Sequence, residues 1–216
     1  MSDKFLMKLG GWVMVASGVA NFGFWAMVWK IGSFVGASAA LDPAWAPAQW
    51  LHVIGAALGT LGLVALFGAL RARLGVIGLV SFVTALVGAM CYFTDGVIAL
   101  AVYPALARQA PGLLAVTGAM NVPPVLLAFI AFSAIAMTGL VALSAVFLKL
   151  RAFPAGSLVL FAVGAVLSNL PPGPVPVQVI QIGGLVFGLG ATWIGLAAAF
   201  KGSPSGVAVA DAALSA

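Results

Sequence analysis

Asp95 is the side chain with the greatest chemical reach in this chain. It stands at the end of a long apolar stretch, LGVIGLVSFVTALVGAMCYFTDG, and is the only acidic residue in or near such a stretch. A carboxylate at the centre of a helix in lipid costs about 2.5–3.5 kcal/mol, so an intramembrane acid is a candidate functional group by default. Counting from Arg73 puts Asp95 roughly 33 Å along a helix, near the far interface. There it could instead cap a helix break at Gly96.

The other polar candidates share that depth. Asn21, His52, Tyr92, Asn169, Gln178 and Gln181 all fall near the same ends of apolar runs. Together with Asp95 they are the expected ligand-binding set, a polar pocket facing outward among helix ends. His52 has three readings. It sits at the interface, or pairs with Asp95 as a proton-sensitive contact, or gives one axial ligand to a haem or chlorophyll. The paired-histidine form of haem binding would need a second chain, since His52 is the only histidine.

Catalytic patterns are lacking. Ser17, Ser81, Ser133 and Ser168 stand outside any GxSxG context. No carboxylate pair is present for acid–base work. One cysteine, Cys91, and one histidine leave no CxxC, HExxH or zinc pattern. The expectation is a protein without catalytic residues, a metal site or a resident cofactor beyond the His52 alternative.

The elements that must position these groups are membrane helices. The chain has 216 residues, of which 64% are hydrophobic and 6% charged, and its mean hydropathy is +1.24. A soluble domain carries about 25% charged residues. The formal charge of +5 comes from Lys and Arg scattered at the ends of apolar runs, with no basic stripe. That excludes a nucleic-acid partner and makes the lipid bilayer the first one.

Leu51–Leu70 shows the unit: twenty residues, about 30 Å as a helix, closed at once by Arg71 and Arg73. Six such spans are expected, at about 9–29, 51–70, 74–96, 123–148, 154–170 and 177–200. They form one transmembrane domain over 1–201, all-α, followed by a small-residue tail, 202–216, expected to be mobile. The start, with Lys4 and Lys8 before an apolar run, has the outline of a signal peptide but reads as the first span. Apolar character after Leu74 runs on to about Leu106, too long for one span, and a break or bend at Asp95-Gly96 is favoured. The Asp42-Pro43 pair suggests a short interfacial helix after span one.

With both termini cytoplasmic, the inner segments hold Lys4, Lys8, Arg71, Arg73, Lys149, Arg151 and Lys201. The outer loops hold only Lys30 and Arg108. This is a clear positive-inside bias. A short repeat, Gly62 to Leu66 and Gly139 to Leu143 as GLVAL, suggests that spans two and three recur as four and five. Gly55 and Gly59, then Gly184 and Gly188, form GxxxG pairs that let another helix approach closely.

The stretches LHVIGAALGTLGLVALFGAL, RARLGVIGLVSFVTALVGAM, RAFPAGSLVLFAVGAVL and IGGLVFGLGATWIGLAAAF resemble uncharacterised multi-pass membrane proteins of bacteria. The resemblance covers about half of the chain. It implies a bacterial inner-membrane setting and carries over no site residues. The leading functional expectation is an accessory or scaffold subunit of a larger membrane complex, respiratory or photosynthetic, with other subunits or further copies as partners. The alternative is a binder or transporter of a small or lipidic molecule through the outward-facing pocket.

Overall fold

A computed structural model describes residues 2–115, 117–171 and 175–201, and the expected mobile tail lies outside the described residues. The described chain is helical throughout: α1 (Asp3–Ile31), α2 (Ala37–Ala40), α3 (Trp45–Ala101), α4 (Tyr103–Gln109), α5 (Val125–Lys149), α6 (Ala155–Ser168) and α7 (Val177–Lys201). Two 3₁₀ turns, Pro111–Leu114 and Ala119–Asn121, lie between α4 and α5. Four helical stretches are long and apolar enough to cross a membrane: α1, α3 run together with α4, α5, and α7.

The longest helix departs most from the sequence reading. As a straight rod its 57 residues would reach about 86 Å, far beyond any bilayer. It reverses at Gly75, where φ is 60° and ψ is −169°. That backbone region is open to glycine almost alone. Residues 45–74 and 76–101 therefore run back along each other. Phe67 stacks on Phe82 with ring centroids 4.0 Å apart, and the Trp45 indole donates to the Ala99 carbonyl at 2.9 Å. The expected spans 51–70 and 74–96 are thus two arms of a hairpin joined by a single glycine.

The expected break at Asp95-Gly96 does not occur. The helix continues through both residues to Ala101. Gly96 is small for another reason: the His52 ring and the Val53 side chain of the first arm press against it. Asp95 accordingly caps nothing. Asp42 does not cap α3 either: its carboxylate accepts from the Ala44 N–H at 2.7 Å in a local turn, and Ala44, which has no capping side chain, holds the N-cap position. The turn lies between the short helix α2 and α3. The expected fifth span, 154–170, is the 14-residue helix α6, ended by the Asn169 turn.

Basic residues gather at one end of the bundle. Arg71 lies 3.7 Å from Asp3 at the start of α1. Arg73 donates to the Leu150 carbonyl at 3.1 Å, and Lys201 donates to the Ala152 carbonyl at 2.7 Å. The α3 hinge, the α5–α6 turn and the end of α7 are held together there. At the opposite end Trp45, Ala39, Ala99, Ala107 and Leu114 form a small apolar cap, with Tyr103 stacked on Trp45.

Glycines close the seam between α1 and α7. A methyl group at Gly11 would meet the Ala199 backbone, and one at Gly18 would meet Thr192 and the Gly188 carbonyl. From the other side, Gly195 faces the Gly11 carbonyl and Gly188 faces Phe22. Gly55, Gly59 and Gly62 do the same for α1 against the first arm, receiving Asn21, Ser17 and Met14. Both GxxxG pairs thus pack against helices of the same chain.

Candidate binding site

Ser17, Asn21, His52, Tyr92, Ser168 and Asn169 line one cavity of about 80 Å³. They come from α1, both arms of α3 and the end of α6. Met14, Leu63, Leu140, Phe161 and Phe187 close it toward the basic end. Ser17, Asn21, Ser168 and Asn169 turn part of their bonding capacity inward on the helices. The Ser17 hydroxyl donates to the Gly55 carbonyl at 2.8 Å, tying α1 to α3. The Asn21 amide donates to the Ser17 carbonyl at 3.0 Å. The Asn169 amide donates to the Ala165 carbonyl at 2.7 Å. Its Oδ1 is buried without a partner among the described residues, and Tyr92 and Ser168 line the same cavity. An unpaired buried acceptor beside a void favours a donor arriving from the void.

His52 is 8% exposed, buried among the helices. Its ring lies 4.5 Å from Phe24 and 6.3 Å from Tyr92, centroid to centroid. A tetrapyrrole does not fit the space beside it. The cavity is smaller than the roughly 150 Å³ voids that accept a benzene ring. Nor does His52 pair with Asp95: the one ion pair among the described residues joins Asp3 and Arg71.

Asp95 belongs to a second and larger space. A groove of about 610 Å³ runs between the second arm of α3 and α5. Its walls are Val87, Met90, Ile98, Met120, Val125, Phe129 and Phe132, with Cys91, Thr94 and Ser133 as lesser polar groups. The two helices touch closely at Ala85–Gly139 and Gly88–Ala136. Outward of that pinch, larger residues hold them apart, and the groove fills the gap. Thr94 bonds back to the Met90 carbonyl at 3.0 Å, so its hydroxyl hydrogen is already used. Asp95 accepts no hydrogen bond and faces no cation among the described residues.

Tyr92 lines both spaces. It stands as the wall between the small cavity and the larger groove, both lined mostly by apolar atoms. Of the seven residues expected to bind a ligand, Asn21, His52, Tyr92 and Asn169 meet at the cavity, and Asp95 lies next door. Gln181 does not face either space. It is 2% exposed, and its amide donates to the Val28 carbonyl at 3.3 Å, stapling α7 to α1. Gln178 is exposed at the first turn of α7.

Sequence reasoning missed Ser17 and the whole α5 wall. Ser17 sits four residues before Asn21, on the same helix face, and that spacing is a usable signal. Phe129 and Phe132 carry none, because apart from Ser133 the positions of α5 near them are apolar. Gln49 was also passed over. It is 2% exposed, one turn before His52, and its Oε1 has no partner among the described residues. No family model matches the chain, and neither the curated proteins nor the solved structures yield a match.

Proposed function

We propose that this chain is a bacterial inner-membrane protein of six spans that binds, and in transport would pass on, a small amphipathic molecule. One observation carries the reading: an apolar groove of about 610 Å³ holds a carboxylate without a partner among the described residues and abuts, across one tyrosine, a small cavity into which a few polar side chains reach. A binding site of several hundred cubic ångströms, mostly apolar with a few placed polar groups, is the usual form of a small-molecule site. The gathering of Arg71, Arg73, Lys149, Arg151 and Lys201 near one end supports cytoplasmic termini and alternating spans.

The accessory-subunit reading draws on the absence of catalytic groups, short loops, small-residue helix faces and the tail, which lies outside the described residues. Those faces pack within the chain, and the groove supplies a site, so the binding reading has the stronger support.

Native mass spectrometry of the full chain released from mild detergent tests it. A retained amphiphile, one per chain, is expected. Ala128→Trp, which fills the groove from α5, should lose it while the protein stays monodisperse. A wild-type chain that retains no small molecule, and takes up none from an added lipid extract, would end this reading.

A further inference from the structure

The groove has a definite charge preference, and this inference rests on the binding reading above. We propose that it takes a hydrophobic cation, an amphiphile with one positive centre seated between Asp95 and the rings of Tyr92, Phe129 and Phe132.

The argument starts from Asp95. It is the only acidic side chain among the groove's lining residues, and no Lys or Arg lines that space. The chain's nine basic residues do not answer it. Arg71, Arg73 and Lys201 make their contacts at the opposite end of the bundle, with Asp3, Leu150 and Ala152. A carboxylate in apolar surroundings is stabilised by a counter-charge, and the fold supplies none among the described residues.

The walls point the same way. Three aromatic rings line the space around Asp95. Ring faces carry negative charge density and attract cations, more strongly where water is excluded. Met90 and Met120 add polarizable, flexible surface that adjusts to ligands of different shape. An anion would meet a carboxylate and three ring faces, all unfavourable. A neutral lipid would fill the groove but leave Asp95 unanswered. The volume, several times that of the neighbouring cavity, suits a bulky organic cation and exceeds the need of a metal ion.

Two probes of equal shape and opposite charge separate charge from fit: tetraphenylphosphonium and tetraphenylborate. Each is equilibrated by dialysis with the full chain in lipid nanodiscs, against empty nanodiscs of the same lipid. Alkylation of Cys91 by N-ethylmaleimide is followed in the same samples, since this sole cysteine lines the groove. Tetraphenylphosphonium should bind one per chain and slow alkylation at least tenfold. Asp95→Asn should raise its half-saturating concentration at least tenfold, and Asp95→Glu, which keeps the charge, should largely restore it. Tetraphenylborate should bind the wild-type chain no better than empty nanodiscs do.

If tetraphenylborate binds as well as the cation, or Asp95→Asn binds the cation unchanged, the charge assignment falls while the binding reading stands. If neither probe binds and the chain also retains no amphiphile, both fall. If neither binds but a neutral amphiphile is retained, the cation proposal alone is overturned.

Discussion

Two helix pairs in this bundle solve the same contact problem in opposite ways. Along α1 and α7, glycines face backbone from both sides, at Gly11, Gly18, Gly188 and Gly195. Along the second arm of α3 and α5, the same device operates only at Ala85–Gly139 and Gly88–Ala136. Outward of that point the facing residues are Tyr92, Asp95, Phe129 and Phe132, and a groove opens. In lipid no hydrophobic force drives helices together, so close packing of small residues does most of the joining. Where the small residues stop, the helices part. The seam is closed by small residues and the groove is left open by large ones.

That contrast can be broken most easily at the seam. Gly18→Leu should cost about 3 kcal/mol, at the upper end for overpacking, because backbone atoms of α7 cannot turn aside. Loss of monodisperse protein on size exclusion, or a large fall in thermal midpoint, checks this. A Gly18→Leu protein as stable as wild type would mean that the two helices do not meet there.

The hinge comes next. Gly75→Val places a β-branched residue at a φ of 60° and should cost about 1–3 kcal/mol. The measurement is the denaturant midpoint in detergent, with wild type alongside. A smaller effect belongs to Ser17→Ala, which removes one interhelical hydrogen bond worth about 0.6 kcal/mol in membrane proteins. Its cavity wall should loosen without unfolding, seen as a midpoint shift near the limit of detection.

The smallest stability effect should come from the groove. Ala128→Trp faces open space on α5 and should move the midpoint by no more than about 0.5 kcal/mol. The same variant should abolish ligand retention. Stability lost at the seam with binding kept, and binding lost at the groove with stability kept, would sharpen the division between the two regions. An Ala128→Trp protein that unfolds would erase it.

The wetter ends of the spans were partly legible. Asn21, His52, Tyr92 and Asn169 are conspicuous as polar letters in apolar runs, and all four reach one cavity. Gln181 is as conspicuous, yet it bonds to the Val28 carbonyl of α1. A polar letter announces that a partner is needed, and only the packing says which. Gly96 misled for a related reason. Beside an aspartate it reads as a break, but its missing side chain makes room for His52 and Val53.

The membrane class, the helical content and the charged end of the bundle can all be read from the residues in order. These follow from hydropathy, length and the placement of Lys and Arg, which act locally and leave a trace in every window of the chain. Only the tertiary structure decided that one glycine turns two spans into a hairpin, that the glycine pairs join helices of this chain, and that Asp95 faces a groove rather than His52. Those facts depend on which surfaces meet across long separations in sequence. In a chain where most residues are apolar, nearly every face is chemically acceptable to every other, so pairing is decided by the shape of small and large residues in three dimensions.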